Sequence, residues 1–378
     1  MAPAVQYTAS FPFELHGSES QIMGISKELS RAGHEVLVAG RFGASVEPLA
    51  KNTSRVRFID VSSRKLPSDA FAQLGSTFAY SRAVYRLIGE TTPDIVSLNE
   101  RFSAYFPSKS GIPKVFTTHN PDAMGFFRAF AIENNGLNLF FFGLKKRVEE
   151  TVMARCDVVV ALTKAIEAYL HHRGFWKTAV IPNAVNESDY YNRSDEGYVL
   201  YAGRLARIKG LPLLIDAFSQ LRESTGWRLI LVGSGPEEAR LKSLAASKGL
   251  HGRVEFVPLV PRRELSHFLA RCSVFVLPSW HEGMPVTLLE AMASSKPVIA
   301  SNIPGPADMI DHGVSGLLFE RGNAEDLARF LAICSTDSDL RRRLGAGARK
   351  AVETNYTFGR ISGSYDTLFR RIRGESND

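Results

Sequence analysis

The sequence predicts an α/β protein built from two tandem domains, each a doubly wound parallel sheet covered by helices. Short apolar runs typical of buried strands recur along the chain, and helical patterns separate many of them. The same series starts again after a polar stretch at residues 183–197. With 378 residues, of which 44% are apolar, the chain is long enough for two separate hydrophobic cores.

The first series of strands defines a domain over residues 1–185, and the second defines a domain over residues 186–355. In the first domain the predicted strands are residues 4–8, 35–38, 56–61, 95–98, 114–118 and 158–162. In the second they are residues 198–201, 228–232, 254–256, 274–277, 297–300 and 316–319. The polar stretch between the two series is the predicted linker, and we expect a ligand to bind in the cleft between the domains.

Charge and cysteine content narrow the class of protein. The net charge of +7 is spread along the chain, which suits an anionic small ligand or an acidic membrane surface and does not favour nucleic acid. The three cysteines are odd in number and widely separated, as expected for buried thiols in a reducing compartment. No apolar run reaches the ~18 residues of a spanning helix. We therefore expect a cytoplasmic protein that could also contact the cytoplasmic face of a membrane.

Two glutamates, Glu282 and Glu290, flank a predicted turn from a strand into a helix. Glu282 lies in a loop at the carboxyl end of the apolar strand, and Glu290 lies about two turns into the following helix. The amides from Gly283 to Val286 lie at the helix N-terminus, which favours anionic or hydroxyl-rich groups. Because open α/β sheets bind ligands at this edge, the segment is the strongest candidate site.

Two further loops of the second domain lie at the same predicted edge. Residues 201–210 follow the first strand and place Arg204 and Lys209 before a helix, where two cations and backbone amides could neutralise a diphosphate. Gly233 belongs to a G-x-G pattern between a strand and a helix. That pattern predicts either a close approach of the backbone to a nucleotide or an ordinary strand-to-helix turn.

In the first domain, Gly17 and His119 follow predicted strands. Gly17 lies in a loop that leads into a helix, where its lack of a side chain would let the backbone approach a phosphate or a sugar. His119 closes the run 114–119 and could donate to a sugar hydroxyl near the reacting centre. A structural histidine is the alternative interpretation.

Asp337 and Asp339 form a D-x-D pattern of the kind that can hold a divalent metal on a diphosphate. Here the pattern precedes a helical, arginine-rich stretch, so the two acids are interpreted as helix-capping and first-turn residues. We therefore predict no metal site, and Arg204 and Lys209 would supply the positive charge.

The segment 126–147 combines aromatic residues with a cationic cluster at 145–147. Its apolar positions share one helical face, which could contact a membrane interface or could be an ordinary core helix with exposed cations. Three phenylalanines in the first part of the segment favour a membrane or a lipid-bearing acceptor.

Taken together, these residues resemble the retaining GT-B glycosyltransferases of family four, also called glycosyl transferases group 1. The resemblance spans nearly the whole chain. It is carried by residues 203–210, 282–290 and 296–300, with support from 33–36, 181–183 and 313–316. The sequence departs from the family pattern at Ser18 and Ser295, where glycine is usual.

The resemblance implies a role for each candidate residue. Arg204 and Lys209, in the loop that begins at Gly203, would bind the donor diphosphate and stabilise the leaving nucleotide. Glu290 would accept hydrogen bonds from the ribose hydroxyls. The remaining candidates would contact the donor sugar or its phosphates: Glu282, the amides of Gly283, Met284 and Val286, Gly17, and His119. The last helix, within residues 356–378, would pack back on the first domain.

The implied activity is transfer of a hexose to an acceptor hydroxyl with retention of configuration and without a metal or other cofactor. GDP-mannose and UDP-sugars are the leading donors, and a saccharide or a lipid-linked saccharide is the expected acceptor. Two alternatives remain: a GT-B sugar-nucleotide epimerase, which would need no acceptor, and a non-catalytic protein that binds a nucleotide sugar without turnover.

Overall fold

The computed structural model describes residues 4–7, 17–40, 55–60, 70–119, 136–221 and 225–375. The chain divides into two compact units. Unit 1 comprises Met1–Asn183 and Phe358–Asp378, and unit 2 comprises Ala184–Thr357. Each unit contains one parallel sheet with helices, so the predicted α/β class is confirmed.

Unit 1 contains a seven-stranded parallel sheet in the order β3-β2-β1-β4-β5-β6-β7. Its strands are β1 (Ala4–Tyr7), β2 (Val36–Gly40), β3 (Val56–Asp60), β4 (Val96–Leu98), β5 (Lys114–Thr118), β6 (Val158–Ala161) and β7 (Thr178–Val180). The helices between them are α1 (Gly17–Arg31), α2 (Ala70–Thr91), α3 (Gly136–Arg155) and α4 (Lys164–His172). The continuous apolar runs β2 and β6 are buried along their whole length, as expected of strands covered on both faces.

The sequence predicted six of these seven strands and missed β7. This strand has only three residues, all of them partly exposed, and it forms one edge of the sheet. An edge strand of this length does not need the long apolar run that marks a buried strand.

Unit 2 contains a six-stranded parallel sheet in the order β10-β9-β8-β11-β12-β13. Its strands are β8 (Tyr198–Ala202), β9 (Arg228–Val232), β10 (Val254–Val257), β11 (Val274–Leu277), β12 (Val298–Ser301) and β13 (Leu317–Phe319). Its helices are α5 (Leu211–Ser219), α6 (Glu238–Ser247), α7 (Arg262–Arg271), α8 (Val286–Ala293), α9 (Pro306–Met309), α10 (Ala324–Thr336) and α11 (Ser338–Asn355). The strand order reverses between the neighbours β8 and β11, and open sheets bind ligands outside the carboxyl ends of such a pair.

The last helix, α12 (Phe358–Ile372), belongs to unit 1 and packs on α1. A side chain at Gly24 would meet the Phe358 ring, since its Cβ would lie 2.2 Å from the ring carbons. His34 Nε2 lies 2.8 Å from Asp366 Oδ1, in a hydrogen bond at the end of α1. These contacts bring the C-terminal end of the described chain onto the first helix.

The segment expected to link the domains belongs to unit 2 from Ala184 onwards, and polar contacts hold it there. Lys296, only 2% exposed, donates to Asn192 Oδ1 at 2.8 Å and to the Ser194 carbonyl oxygen at 2.7 Å. Arg341 binds Asp195 at 2.6 Å. The polar residues of this segment therefore bind the unit 2 surface, which their composition alone did not reveal.

Asp337 caps α11, as predicted, because its side chain accepts a hydrogen bond from the Leu340 amide at 2.8 Å. Ser295, which replaces the usual glycine, takes a left-handed φ of 55° two residues after the end of α8. Glycine reaches that conformation without strain, which explains why it is usual there. The three cysteines are buried free thiols, as predicted, and burial raises the pKa of each to about 12.

Within the ranges that the structure describes, no helix has the length and apolarity needed to cross a membrane.

Candidate functional site

The loops that follow β8 and β11 meet where the strand order of unit 2 reverses. The Trp280 amide donates to the Ile208 carbonyl oxygen at 2.8 Å. Gly210, with φ of 65°, packs directly on Pro278, because a Cβ there would lie 2.0 Å from the Pro278 carbonyl oxygen. Only glycine fits this contact, which joins the basic loop to the glutamate loop.

This contact places Lys209 beside Glu282. Lys209 Nζ lies 2.7 Å from Glu282 Oε1, and Ser279 Oγ donates to the same oxygen at 2.6 Å. Glu282 is 8% exposed, so the ion pair is partly protected from solvent. The sequence predicted both residues as candidates but not that they bind each other.

Arg204 lies on the same loop and has an exposed side chain. Its carbonyl oxygen accepts a hydrogen bond from the buried Tyr201 hydroxyl at 2.9 Å, which anchors the backbone at this point. Among the residues that the structure describes, no carboxylate lies within ion-pair distance of its guanidinium. Arg204 is therefore available to an anionic ligand.

The G-x-G pattern packs against the start of the basic loop. A Cβ at Gly233 would lie 1.9 Å from the Gly203 carbonyl oxygen, and one at Gly235 would lie 2.3 Å from that of Leu205. The Leu205 amide donates to the Ser234 carbonyl oxygen at 2.9 Å. Contact between two loops thus accounts for these glycines, and contact of Gly203 or Gly233 with the donor stays a prediction.

The N-terminus of α8 presents backbone donors beside Glu282. Pro285 precedes the helix without a side-chain cap. In the described part of the chain, the amides of Gly283 and Val286 donate to no other backbone or side-chain group. These amides can bind oxygen atoms of a ligand. Met284, between them, is 6% exposed, so its side chain belongs to the core.

Glu290 lies deep in unit 2, where it is 1% exposed. Arg262 Nη2, from the start of α7, lies 3.0 Å from Glu290 Oε1. Burial raises the pKa of Glu290, while the charge of Arg262 and a hydrogen bond from Tyr190 act in the opposite direction. No motif marked Arg262 or Tyr190 in the sequence, although Arg262 follows the carboxyl end of β10, where ligand-binding residues gather.

His281, next to Glu282, was also missed. It is 8% exposed, and burial lowers its pKa, with Lys209 and Arg321 acting in the same direction and Glu282 opposing them. A neutral imidazole is therefore favoured beside the Lys209–Glu282 pair.

Gly17 and His119 belong to unit 1. Gly17 is the first residue of α1, and His119 directly follows β5. Burial lowers the pKa of His119 to about 4, with the charge of Arg101 adding to the effect, so the ring is neutral near pH 7. The His119 Nε2 atom is buried and has no hydrogen-bond partner in the described structure.

A buried carboxylate, missed in the sequence, binds the residue before His119. Glu149 on α3 is 4% exposed and accepts a hydrogen bond from Thr118 Oγ1 at 2.9 Å. Arg101 Nη1 lies 3.8 Å from its other oxygen. The residue before His119 is therefore fixed by a charged pair.

The predicted membrane-contact segment, residues 126–147, is described only in part. Residues 126–135 lie outside the described residues, and α3 begins at Gly136. Lys145 and Arg147 are exposed, whereas Val148 is buried. The end of the segment thus exposes two cations, and membrane contact stays a prediction.

Two family models match nearly the whole chain. Residues 15–189 match glycosyltransferase family 4, and residues 186–351 match glycosyl transferases group 1. The chain belongs to the GT-B group 1 glycosyltransferases. Its motifs at the β8 and β11 loops therefore lie within the matched region of a glycosyltransferase.

Similarity to individual glycosyltransferases supports this assignment, and it extends over part of the length of each relative. A glycosyltransferase of Methanocaldococcus jannaschii, itself uncharacterized, is 27% identical over 247 residues, which cover 65% of each chain. The lipopolysaccharide core biosynthesis glycosyltransferase LpsE of Rhizobium meliloti is 31% identical over 182 residues, 48% of this chain and 52% of that one. The chain thus aligns with less than two thirds of the length of these relatives.

Solved structures show the same fold for this glycosyltransferase. Sucrose-phosphate synthase from Thermosynechococcus elongatus gives a TM-score of 0.86 at 22% identity, with 100% of both chains covered. HepE of Anabaena, solved in complex with UDP and glucose, gives a TM-score of 0.77 at 19% identity, with 98% of this chain and 100% of HepE covered. At these identities the likeness establishes the GT-B fold alone.

Proposed function

We propose that this glycosyltransferase moves a hexose from a nucleoside diphosphate sugar to an acceptor hydroxyl and retains the anomeric configuration. The observation that carries the proposal is the arrangement at the reversal point of unit 2. There Arg204, which has no ion pair among the described residues, and the Lys209–Glu282 pair lie on loops that Gly210 joins. The amides of Gly283 and Val286 belong to the same glutamate loop and have no partner among the described residues.

In this proposal the positive charges stabilise the leaving diphosphate. Arg204 and Lys209 supply preorganised cations where negative charge develops, which is commonly the largest electrostatic contribution to catalysis. Glu290 accepts hydrogen bonds from the ribose. Gly17, at the start of α1, approaches the donor phosphates, and His119 faces the donor sugar.

Glu282 suits a role in binding better than one as a nucleophile. One of its carboxylate oxygens is already bound by Lys209 and Ser279. We therefore propose a front-face reaction, in which the leaving phosphate takes the proton of the acceptor hydroxyl. No metal is required in this scheme, so turnover should persist in excess chelator.

The donor and acceptor are proposed from the relatives. HepE of Anabaena has been solved with UDP-glucose, which supports a UDP-hexose donor, and GDP-mannose is the second candidate. LpsE of Rhizobium meliloti is a lipopolysaccharide core glycosyltransferase, and AmsK of Erwinia amylovora is an amylovoran biosynthesis glycosyltransferase. We therefore propose a saccharide or lipid-linked saccharide as acceptor.

Binding experiments test the donor assignment directly. Thermal unfolding would be measured with UDP, GDP and ADP and with their hexose conjugates, for the unchanged protein and for Arg204→Ala. We expect one nucleotide class to raise the melting temperature of the unchanged protein, and to do so much less in the variant. If no nucleotide class stabilises the protein, the proposal fails.

Incubation with donor alone separates transfer from epimerisation. A transferase leaves the configuration of the donor sugar unchanged, whereas an epimerase converts it without an acceptor. Conversion of the donor in the absence of acceptor, followed by NMR of the sugar, would favour the epimerase. Tight donor binding without turnover on any saccharide acceptor would favour a non-catalytic protein.

We also propose that the protein works at the cytoplasmic face of a membrane, through residues 126–147. The exposed Lys145 and Arg147 suit anionic lipid headgroups, with roughly 1 kcal/mol expected per cation. Sedimentation with phosphatidylserine vesicles would test this. The double variant Lys145→Gln/Arg147→Gln should bind the vesicles less than the unchanged protein does. The control Lys177→Gln, at an exposed position of unit 1, should bind them equally well. Equal sedimentation of all three would remove the membrane role.

A further inference from the structure

We propose that Arg262 positions Glu290 for the nucleoside of the donor. This inference rests on the proposed function, because it takes Glu290 as the residue that binds the ribose hydroxyls. Arg262 opens α7 just beyond the carboxyl end of β10, and its Nη2 atom lies 3.0 Å from Glu290 Oε1. The guanidinium is therefore within reach of any group that binds this carboxylate.

The two partners differ sharply in exposure. The Glu290 side chain is 2% exposed, whereas 44% of the Arg262 side chain is exposed. The arginine thus connects a buried carboxylate to the surface of unit 2. A nucleoside that binds Glu290 would therefore share the carboxylate with Arg262.

One oxygen of the Glu290 carboxylate can accept a hydrogen bond that no group of the described structure donates. Glu290 Oε1 is buried and has no hydrogen-bond partner in the described structure, although Arg262 lies at ion-pair distance. Arg262 Nη2 lies close enough to Oε1, but its N–H groups are not directed at that oxygen as a hydrogen bond requires. A buried acceptor without a partner is costly, and a ribose hydroxyl would satisfy it.

The charge of Glu290 decides whether it can serve as an acceptor. An ionised carboxylate accepts hydrogen bonds through both oxygens, whereas a protonated one has lost part of that capacity. Burial raises the pKa of Glu290, and the charge of Arg262, followed by the Tyr190 hydrogen bond, counteracts this. Removing Arg262 should therefore raise the pKa of Glu290 further.

The other charged groups near α8 are engaged elsewhere. Arg349, from α11, donates to the Ala293 carbonyl oxygen at 2.6 Å, at the end of the helix. Lys209 and Glu282, on the loops that follow β8 and β11, bind each other. Within the described structure, Arg262 is thus the cation that acts on Glu290.

Nucleotide binding as a function of pH tests the inference. Calorimetric dissociation constants for UDP, GDP and ADP would be measured between pH 5 and 8 for the unchanged protein, Arg262→Ala and Arg263→Ala. Arg263 is the matched control, because it is an exposed arginine at the next position and has no ion pair among the described residues.

We expect Arg262→Ala to bind its nucleotide about tenfold more weakly or worse at pH 7.5. Its affinity should also fall at a higher pH than that of the unchanged protein as the solution is acidified, because Glu290 protonates earlier. Arg263→Ala should match the unchanged protein at every pH. Arg262→Lys, which keeps the charge, should recover part of the affinity and the original pH dependence.

Two further variants separate positioning from simple structural damage. Tyr190→Phe removes only the hydroxyl that donates to Glu290, so it should shift the pH dependence in the same direction and by less. Glu290→Gln cannot ionise, and adding Arg262→Ala to it should cause little further loss of affinity.

The possible failures are distinguishable. If the unchanged protein binds none of UDP, GDP and ADP at any pH, the proposed function itself fails. If it binds one of them but Arg262→Ala behaves like Arg263→Ala, Arg262 does not position Glu290. A loss of affinity in Arg262→Ala that is equal at all pH values also overturns the inference, since it shows a contact that does not act through the carboxylate.

Discussion

Lys209 and Glu282 come from loops 73 positions apart and meet at 2.7 Å, so each side chain constrains the other. Glu282 holds the lysine in place, and in the proposed function a donor diphosphate would compete for the same charge. The ion pair thus fixes the position of the cation in advance, which is what the proposed electrostatic stabilisation of a transition state requires.

Lys209→Ala should lower turnover by roughly two orders of magnitude or more, because it removes a positive charge that stabilises the leaving diphosphate. Arg204→Ala should have an effect of similar size. The control is Lys242→Ala, which breaks a comparable lysine–glutamate pair on the exposed face of α6. Initial rates of sugar transfer would be compared, and near-normal rates in both Lys209→Ala and Arg204→Ala would contradict the diphosphate assignment.

The stability of the protein should depend on pH through His119, because the pKa of His119 is about 4 in the folded protein, against about 6.5 when unperturbed. Between these values the unfolded chain binds the proton and the folded protein does not. The contribution of His119 is therefore fully present above pH 6.5 and is lost as the pH falls towards 4. Between pH 7.5 and pH 5 this loss amounts to about 2 kcal/mol.

The His119→Gln variant should lose this part of the pH dependence. Its free energy of unfolding, measured by urea titration, should change about 2 kcal/mol less between pH 7.5 and pH 5 than that of the unchanged protein. His251→Gln, at an exposed position, should keep the original dependence. Identical pH dependence in His119→Gln and the unchanged protein would show that His119 is not held neutral by burial.

Among loops and turns, Gly210 joins the two segments that carry the candidate site. Gly210→Ala should destabilise unit 2 by more than the roughly 1 kcal/mol of a left-handed alanine, because the new Cβ would also collide with the Pro278 carbonyl oxygen. Gly249→Ala is the matched control, since Gly249 has φ of 72° and a Cβ added there would meet no atom of the described residues within 4 Å. Equal urea midpoints for the two variants would show that the close approach contributes nothing.

The elements were easier to predict from the sequence than the contacts between them. Buried strands such as β6 carry a continuous apolar run, so periodicity located every strand except the short edge strand β7. The loops at the strand ends were found as well, because glycines and cations interrupt the apolar pattern. The sequence named Glu290 but not Arg262, since which loops meet depends on the strand order of the folded sheet.

At the scale of the whole molecule, the predicted donor-binding residues and the packing of the last helix belong to different units. The predicted diphosphate and ribose contacts, from Arg204 to Glu290, lie in unit 2, while α12 at the other end of the chain packs on α1 in unit 1. Damage to the α1–α12 contact should therefore affect unit 1 while leaving nucleotide binding by unit 2 intact.

Gly24→Val tests this division, because a Cβ at Gly24 would lie 2.2 Å from the Phe358 ring. We expect calorimetry to show a lower melting temperature for unit 1, with the nucleotide dissociation constant at room temperature changed less than about threefold. The control is Gly89→Val on α2, where no atom of the described chain lies within 4 Å of the added Cβ. Since the acceptor is expected to bind unit 1, sugar transfer by Gly24→Val should fall although the donor still binds. A parallel loss of nucleotide affinity would instead show that the two units unfold as one.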